Sequence, residues 1–112
     1  MIAAIEQNLD AIRALCREYG VVRLEVFGSA ATAEFDPARS DIDFLVDYAS
    51  ETDPGPWLKH FFKLRDELTV LLGHRVDLVM ASAPALENTY FRREAEKTRT
   101  IIYDATKVVE MA

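Results

Sequence analysis

A chain of 112 residues has room for one domain with a single core. Half of its residues are apolar and 29% are charged, as in ordinary globular proteins, and no apolar run approaches the roughly 18 residues of a membrane-spanning helix. The net charge of −6 opposes a non-specific grip on DNA or RNA, which needs surplus lysine and arginine to displace counterions from phosphates.

A basic protein partner, or a small anion neutralised by metal, suits an acidic chain better. Glu6 and Asp10 lie where a secretory leader would be basic, so no signal peptide is expected. Cys16 is the single cysteine, so no internal disulfide forms, and a cytoplasmic location is expected.

Residues 2–19 read as an amphipathic helix, with Ile2, Ile5, Leu9, Ile12, Leu15, Cys16 and Tyr19 at steps of three and four, closed by Gly20. Cys16 lies on that apolar stripe as a packed thiol. Residues 21–27 read as a strand with Val22, Leu24 and Val26 on one face and Arg23 and Glu25 on the other. Gly28-Ser29 breaks the pattern, and Ala30 to Ala33 have room for a short helical turn. A loop over 34–40, marked by Asp36-Pro37, leads to a second strand at 41–47.

The stretch 48–56 is rich in turn formers, and 57–72 reads as a second helix, with Trp57, Phe61, Leu64, Leu68, Leu71 and Leu72 along its stripe and Gly73 at its end. A third strand is expected at 75–80, a third helix at about 84–97 with Ser82 as its cap, and a last strand at 100–103. This order argues a single α/β or α+β domain, with helices packed on one sheet.

The second strand opens with Asp41-Ile42-Asp43. Alternation puts both carboxylates on one face, roughly 6.5 Å apart along the strand. Two bare carboxylates about 4 Å apart repel by ~4 kcal/mol at an effective dielectric of 20, so a cation is expected between them. Mg²⁺, which takes hard oxygen ligands and bridges carboxylates to substrate phosphates, is the apt ion. An isolated D-x-D more often marks an ordinary strand start. Here two further features accompany it. Asp77 sits in the apolar run Val76-Asp77-Leu78-Val79, where a charge is costly unless paired or metal-bound. Gly28-Ser29 ends the preceding strand, where a close-approaching backbone can hold phosphate oxygens.

Gly28-Ser29, then Ser40-Asp41-Ile42-Asp43, then Asp77 resembles the minimal nucleotidyltransferase (MNT) domains of the polymerase-beta superfamily. Within it, the chain is similar to the small prokaryotic MNT proteins that act as antitoxins to HEPN-domain ribonucleases. The likeness runs from the first helix to the strand ending at Tyr103 and covers the chain as one MNT domain, residues 1–112. It implies a polymerase-beta-like fold, a mixed sheet with helices packed on it. It implies an enzyme that moves AMP from ATP to a tyrosine hydroxyl of a HEPN toxin, its partner in a hetero-oligomer. Gly28, Ser29 and Ser40 would bind nucleotide. Asp41, Asp43 and Asp77 would be the catalytic and metal-binding carboxylates for one or two Mg²⁺, with Asp77 helping to activate the acceptor. The chain departs from the pattern after Gly-Ser: relatives often carry arginine and then glycine where Ala30, Ala33 and Glu34 stand, and Arg39 is the nearest substitute.

Two alternatives remain open at this stage. A domain keeping the fold can neutralise its partner by covering it, through Trp57, Phe61 and Phe62, although those residues read first as core. A small-molecule nucleotidyltransferase subunit with a separate substrate-binding chain is the other. His60 and His74 lie outside the carboxylate cluster and read as structural or surface residues. The basic run Arg92, Arg93, Lys97 and Arg99 reads as a solvated helix face paired with Glu94 and Glu96.

Overall fold

The computed structural model describes residues 1–32, 35, 36, 38–48, 54–80 and 97–105. Four strands, β1 (Val21–Phe27), β2 (Ile42–Tyr48), β3 (Val76–Met80) and β4 (Thr100–Asp104), form one sheet in the order β3-β2-β1-β4. β1 runs antiparallel to both β2 and β4, whereas β2 and β3 are parallel. Parallel neighbours need a crossover rather than a tight turn, and the helix Pro54–Leu72 supplies it. The helices are α1 (Ala3–Glu6), α2 (Leu9–Glu18) and α3 (Pro54–Leu72). Among the described residues, no helix is long and apolar enough to cross a membrane.

The strand pleat divides the sheet into two unlike faces. On one, Ile42, Phe44 and Val46 of β2 stand beside Val76 and Leu78 of β3 and beside Leu24 and Val26 of β1. Ile12 and Cys16 of α2 and Leu64, Leu68 and Leu72 of α3, at helical spacing, close over them as the main core. Burial raises the Cys16 thiol to about 12, as befits a packing residue. The other face carries a small apolar cluster of Phe27, Leu45 and Val79 and the acidic side chains of β2 and β3.

Several elements differ from the sequence reading, each for a local reason. The first helix is broken: the Asn8 side chain donates to the Ala4 carbonyl at 2.7 Å, and its amide turns to Ile5 at 3.1 Å. This local bond offers the backbone an alternative to continuing the helix. A register shift between Val21 and Arg23 turns Val21 inward instead of Val22. The turn after β1 is a 3-10 helix at Gly28–Ala31, two residues earlier than expected. β2 extends to Tyr48, which pairs with Val21. α3 starts at Pro54, so both prolines sit in the first turn, where a missing N–H leaves no helical bond unmade.

Glu25, placed by alternation on the polar face, is buried. Arg99 and Arg23 neutralise it, and Arg23 also pairs with Asp104 at 3.4 Å. The helix expected over 84–97, apart from Lys97, lies outside the described residues, as do Arg92, Arg93, Ala33, Glu34 and the side chain of Trp57.

Phe44 is fully buried at the centre of the main face, whereas Val70 on α3 is 84% exposed. Phe44→Ala is expected to cost about 3–5 kcal/mol and Val70→Ala no more than about 0.5 kcal/mol. Urea unfolding of the two variants measures the contrast.

Candidate active site

The parallel register sets Asp43 directly beside Asp77. Asp43 also faces Phe27 across the antiparallel pair, so one row across the sheet reads Phe27, Asp43, Asp77. The row behind it is Glu25, Leu45, Val79. The two carboxylates thus stand in front of a small apolar floor. Asp43 is half-buried there and Asp77 is exposed.

Asp43 carries the electrostatic consequence. Burial first, then the charges of Asp77 and Asp41, push its carboxyl up from the ordinary 3.8 to about 6. Asp41 lies just before β2, two residues from Asp43 and therefore on the same side of the strand. Its carboxylate is 3.9 Å from the Arg75 guanidinium. The sequence reading did not single out Arg75; it named Arg39 as the nearest candidate cation, with a solvated loop arginine as that residue's default reading. The signal was present: Arg75 precedes Asp77 by two, so alternation puts it on the same face.

The Gly-Ser turn closes the site from the β1 side. Gly28 has φ +72°, and a Cβ built on it would stand 2.9 Å from Asp43 Oδ2. Both the backbone conformation and the nearness of the carboxylate therefore call for glycine. The Gly28 amide donates to Thr98 Oγ1 at 2.7 Å, tying the turn to the segment that enters β4. Thr98 was also missed, because a contact across 70 residues leaves no local sequence signal. Ser29 accepts the Thr32 amide and hydroxyl through its carbonyl and so holds the 3-10 turn. Ser40 serves its own loop: its amide donates to the Asp36 carbonyl at 2.7 Å, and its hydroxyl accepts the Asp36 amide at 3.0 Å.

The residue at the departure, Ala30, is a packing residue here. Ala30 is fully buried in the main core, and its carbonyl accepts the Ile2 amide at 3.0 Å. The two histidines stand against aromatic rings, His60 on Tyr19 and His74 on Phe35, as structural residues do.

Among the described residues, no three acidic, histidine or cysteine side chains close into a full metal cage. That donor set still suits Mg²⁺, which keeps several waters and is commonly held by one or two carboxylates together with substrate phosphates. Two adjacent carboxylates, one of them raised by burial and by its acidic neighbours, match such a partial site.

A family model for the nucleotidyltransferase domain matches residues 10–109. A Methanocaldococcus jannaschii protein described as a protein adenylyltransferase is 39% identical over 97 residues, covering 86% of this chain and 92% of that protein. The protein adenylyltransferase MntA of Thermococcus cleftensis is 42% identical over 80 residues, covering 70% of this chain and 76% of that protein. Among solved structures, the complex of a tri-AMPylated Shewanella oneidensis HEPN toxin with its MNT antitoxin shares the fold, with TM-score 0.59 and 22% identity over 95% of this chain and 77% of that one.

Two predictions follow the geometry. Gly28→Ala is expected to cost more stability than Gly20→Ala, because both glycines have φ +72° but only Gly28 faces a carboxylate. The shared backbone part is about 1–2 kcal/mol, and denaturant midpoints give the difference. The second concerns pH. Between pH 3.8 and about 6, folded Asp43 keeps a proton that the unfolded chain releases. Its favourable contribution is therefore full below 3.8 and lost as pH rises through about 6. In chelator, Asp43→Asn should match the native Tm near pH 4 and exceed it at pH 7.5 by about 5 °C, corresponding to about 1 kcal/mol after discounting for solvent screening. A pH-independent gap would dismiss the electrostatic account.

Proposed function

The chain belongs to the nucleotidyltransferase domain family, and from that premise we propose that it is a Mg²⁺-dependent protein adenylyltransferase. It moves AMP from ATP to a tyrosine hydroxyl of a HEPN-domain ribonuclease toxin and thereby acts as the antitoxin of a cytoplasmic pair. Two relatives of similar length carry the adenylyltransferase name, and a structure of the same fold is bound to an AMPylated HEPN toxin. The observation that carries the chemistry is the row in which Asp43 and Asp77 stand side by side next to the Gly28 turn.

Asp43 and Asp77, with Asp41 at the mouth of the strand, would hold Mg²⁺, whose charge neutralises phosphate oxygens and lowers the pKa of a nearby hydroxyl. Gly28 and Ser29 seat the triphosphate at the end of β1, and Ser40 fixes the loop that delivers Asp41. The acceptor oxygen forms a bond to the α-phosphorus, the α–β bridging P–O bond breaks, and pyrophosphate leaves. Asp77 is the exposed member of the pair, which suits it to meet an incoming acceptor and take the hydroxyl proton. Residues 1–112 act as one domain, with the described strands sharing a single sheet.

Mass spectrometry of the co-expressed toxin tests this reading. The native chain should add at least one AMP to it. Asp43→Asn should lower the modified fraction at least 100-fold, because it removes the carboxylate at the centre of the site. Neutralisation of the toxin with no gain in mass would instead mean that covering the partner suffices.

A further inference from the structure

The turn that seats the triphosphate brings no cation with it. Ala30 is buried in the core, and Ala31 and Thr32 follow. Arg23 and Arg99, on the same side of the sheet as the site, are engaged with Glu25 and Asp104. A triphosphate crowded against three carboxylates still needs positive charge beyond the metal's.

Arg75 is placed to provide it. The Ile42 amide donates to the Arg75 carbonyl at 2.9 Å, which fastens the Arg75 backbone to the start of β2. Ile42 pairs with Val76 and Asp43 with Asp77, so the same parallel register sets Arg75 beside Asp41, one step ahead of the carboxylate pair. Strand alternation turns Arg75 to the face of Asp77. Its side chain is 83% exposed, and its contact with Asp41 is long, at 3.9 Å. An exposed ion pair of that length is weak and easily exchanged. A guanidinium fork also matches phosphate oxygens better than a single carboxylate at such a distance.

We infer that Arg75 is the residue that positions the β- and γ-phosphates of the nucleotide, pairing with Asp41 until nucleotide arrives and then moving to the phosphates. The exchange is self-consistent in charge: Asp41 is released towards the metal as Arg75 takes up the phosphate. The inference rests on the nucleotide-transfer reading, but it concerns binding and needs no acceptor protein.

Calorimetric titration of the full chain with Mg²⁺ and AMP-PNP, with AMP, and with Mn²⁺ alone tests it. Arg75→Ala should weaken AMP-PNP about 10-fold, leave AMP within twofold, and tighten Mn²⁺ about 2- to 5-fold by freeing Asp41. Arg75→Lys should recover most of the AMP-PNP affinity, and neither variant should change the melting temperature. These opposite signs in one variant are what a merely structural role cannot produce. Unchanged AMP-PNP affinity in Arg75→Ala, or joint weakening of AMP-PNP and Mn²⁺, overturns the inference. A native chain that binds no AMP-PNP overturns the nucleotide-transfer reading as well.

Discussion

The parallel pairing of β2 with β3 holds two like charges side by side, and the site depends on that constraint. Asp43 and Asp77 are neighbours because Ile42 meets Val76 and Phe44 meets Leu78 on the opposite face. The register is thus fixed by the core. A slip of one residue would turn the aspartates inward and the core side chains out, a cost far larger than the repulsion between two carboxylates. The chain can therefore keep an electrostatically unfavourable pair in place, and Asp43 responds by holding its proton to about pH 6. On the proposed function, a divalent cation would compete for the same position as that proton.

The same face of the sheet treats its acids in two ways. Glu25 is more deeply buried than Asp43, yet it is matched by Arg99 and Arg23, and Asp104 completes the network. A buried carboxylate enclosed by arginines is a structural group, since removing either partner would leave an uncompensated charge. Among the described residues, no such guanidinium pairs with Asp43 or Asp77. Only the third acid, Asp41, meets one, through a long and exposed contact with Arg75. The distribution of arginines, rather than of acids, separates the part of this face that stabilises from the part that can bind.

Much of this was legible in the sequence, because it follows from short-range periodicity. The alternation of Asp41, Ile42, Asp43 and of Val76, Asp77, Leu78 assigns each residue a face without knowledge of the partner strand. The polymerase-beta-like likeness of Gly28-Ser29 and the aspartates pointed to the family that the comparisons show. What could not be read was set by contacts distant in the chain. The strand order, the Thr98 bond to Gly28 and the burial of Glu25 all depend on β4, which reaches β1 from some 70 residues away. Ala30 looked like a lost phosphate ligand because sequence shows identity and not depth. Its methyl lies in the core, and its carbonyl holds the Ile2 amide just before α1. Arg75 was hidden for the converse reason: it lies far from the Gly-Ser turn along the chain and reaches Asp41 from the neighbouring strand.

The strand directions bring these pieces to one edge. β1 ends there, just before Gly28, and β2, β3 and β4 begin there, with Asp41 and Arg75 immediately before β2 and β3 and Thr98 two residues before β4. Groups held by strand ends within a hydrogen-bonded sheet are more precisely placed than groups on free loops, so a small domain can define a nucleotide site. The same economy limits what else the described residues provide. Asp77 is exposed, and of the apolar floor Phe27 stands level with the carboxylates while Leu45 and Val79 lie behind them, not in front. On the proposed function, the edge would organise the donor side of a transfer. The acceptor hydroxyl would then be oriented largely by the molecule that carries it, and specificity for a protein acceptor would come from the fit of two surfaces around an otherwise general phosphate site.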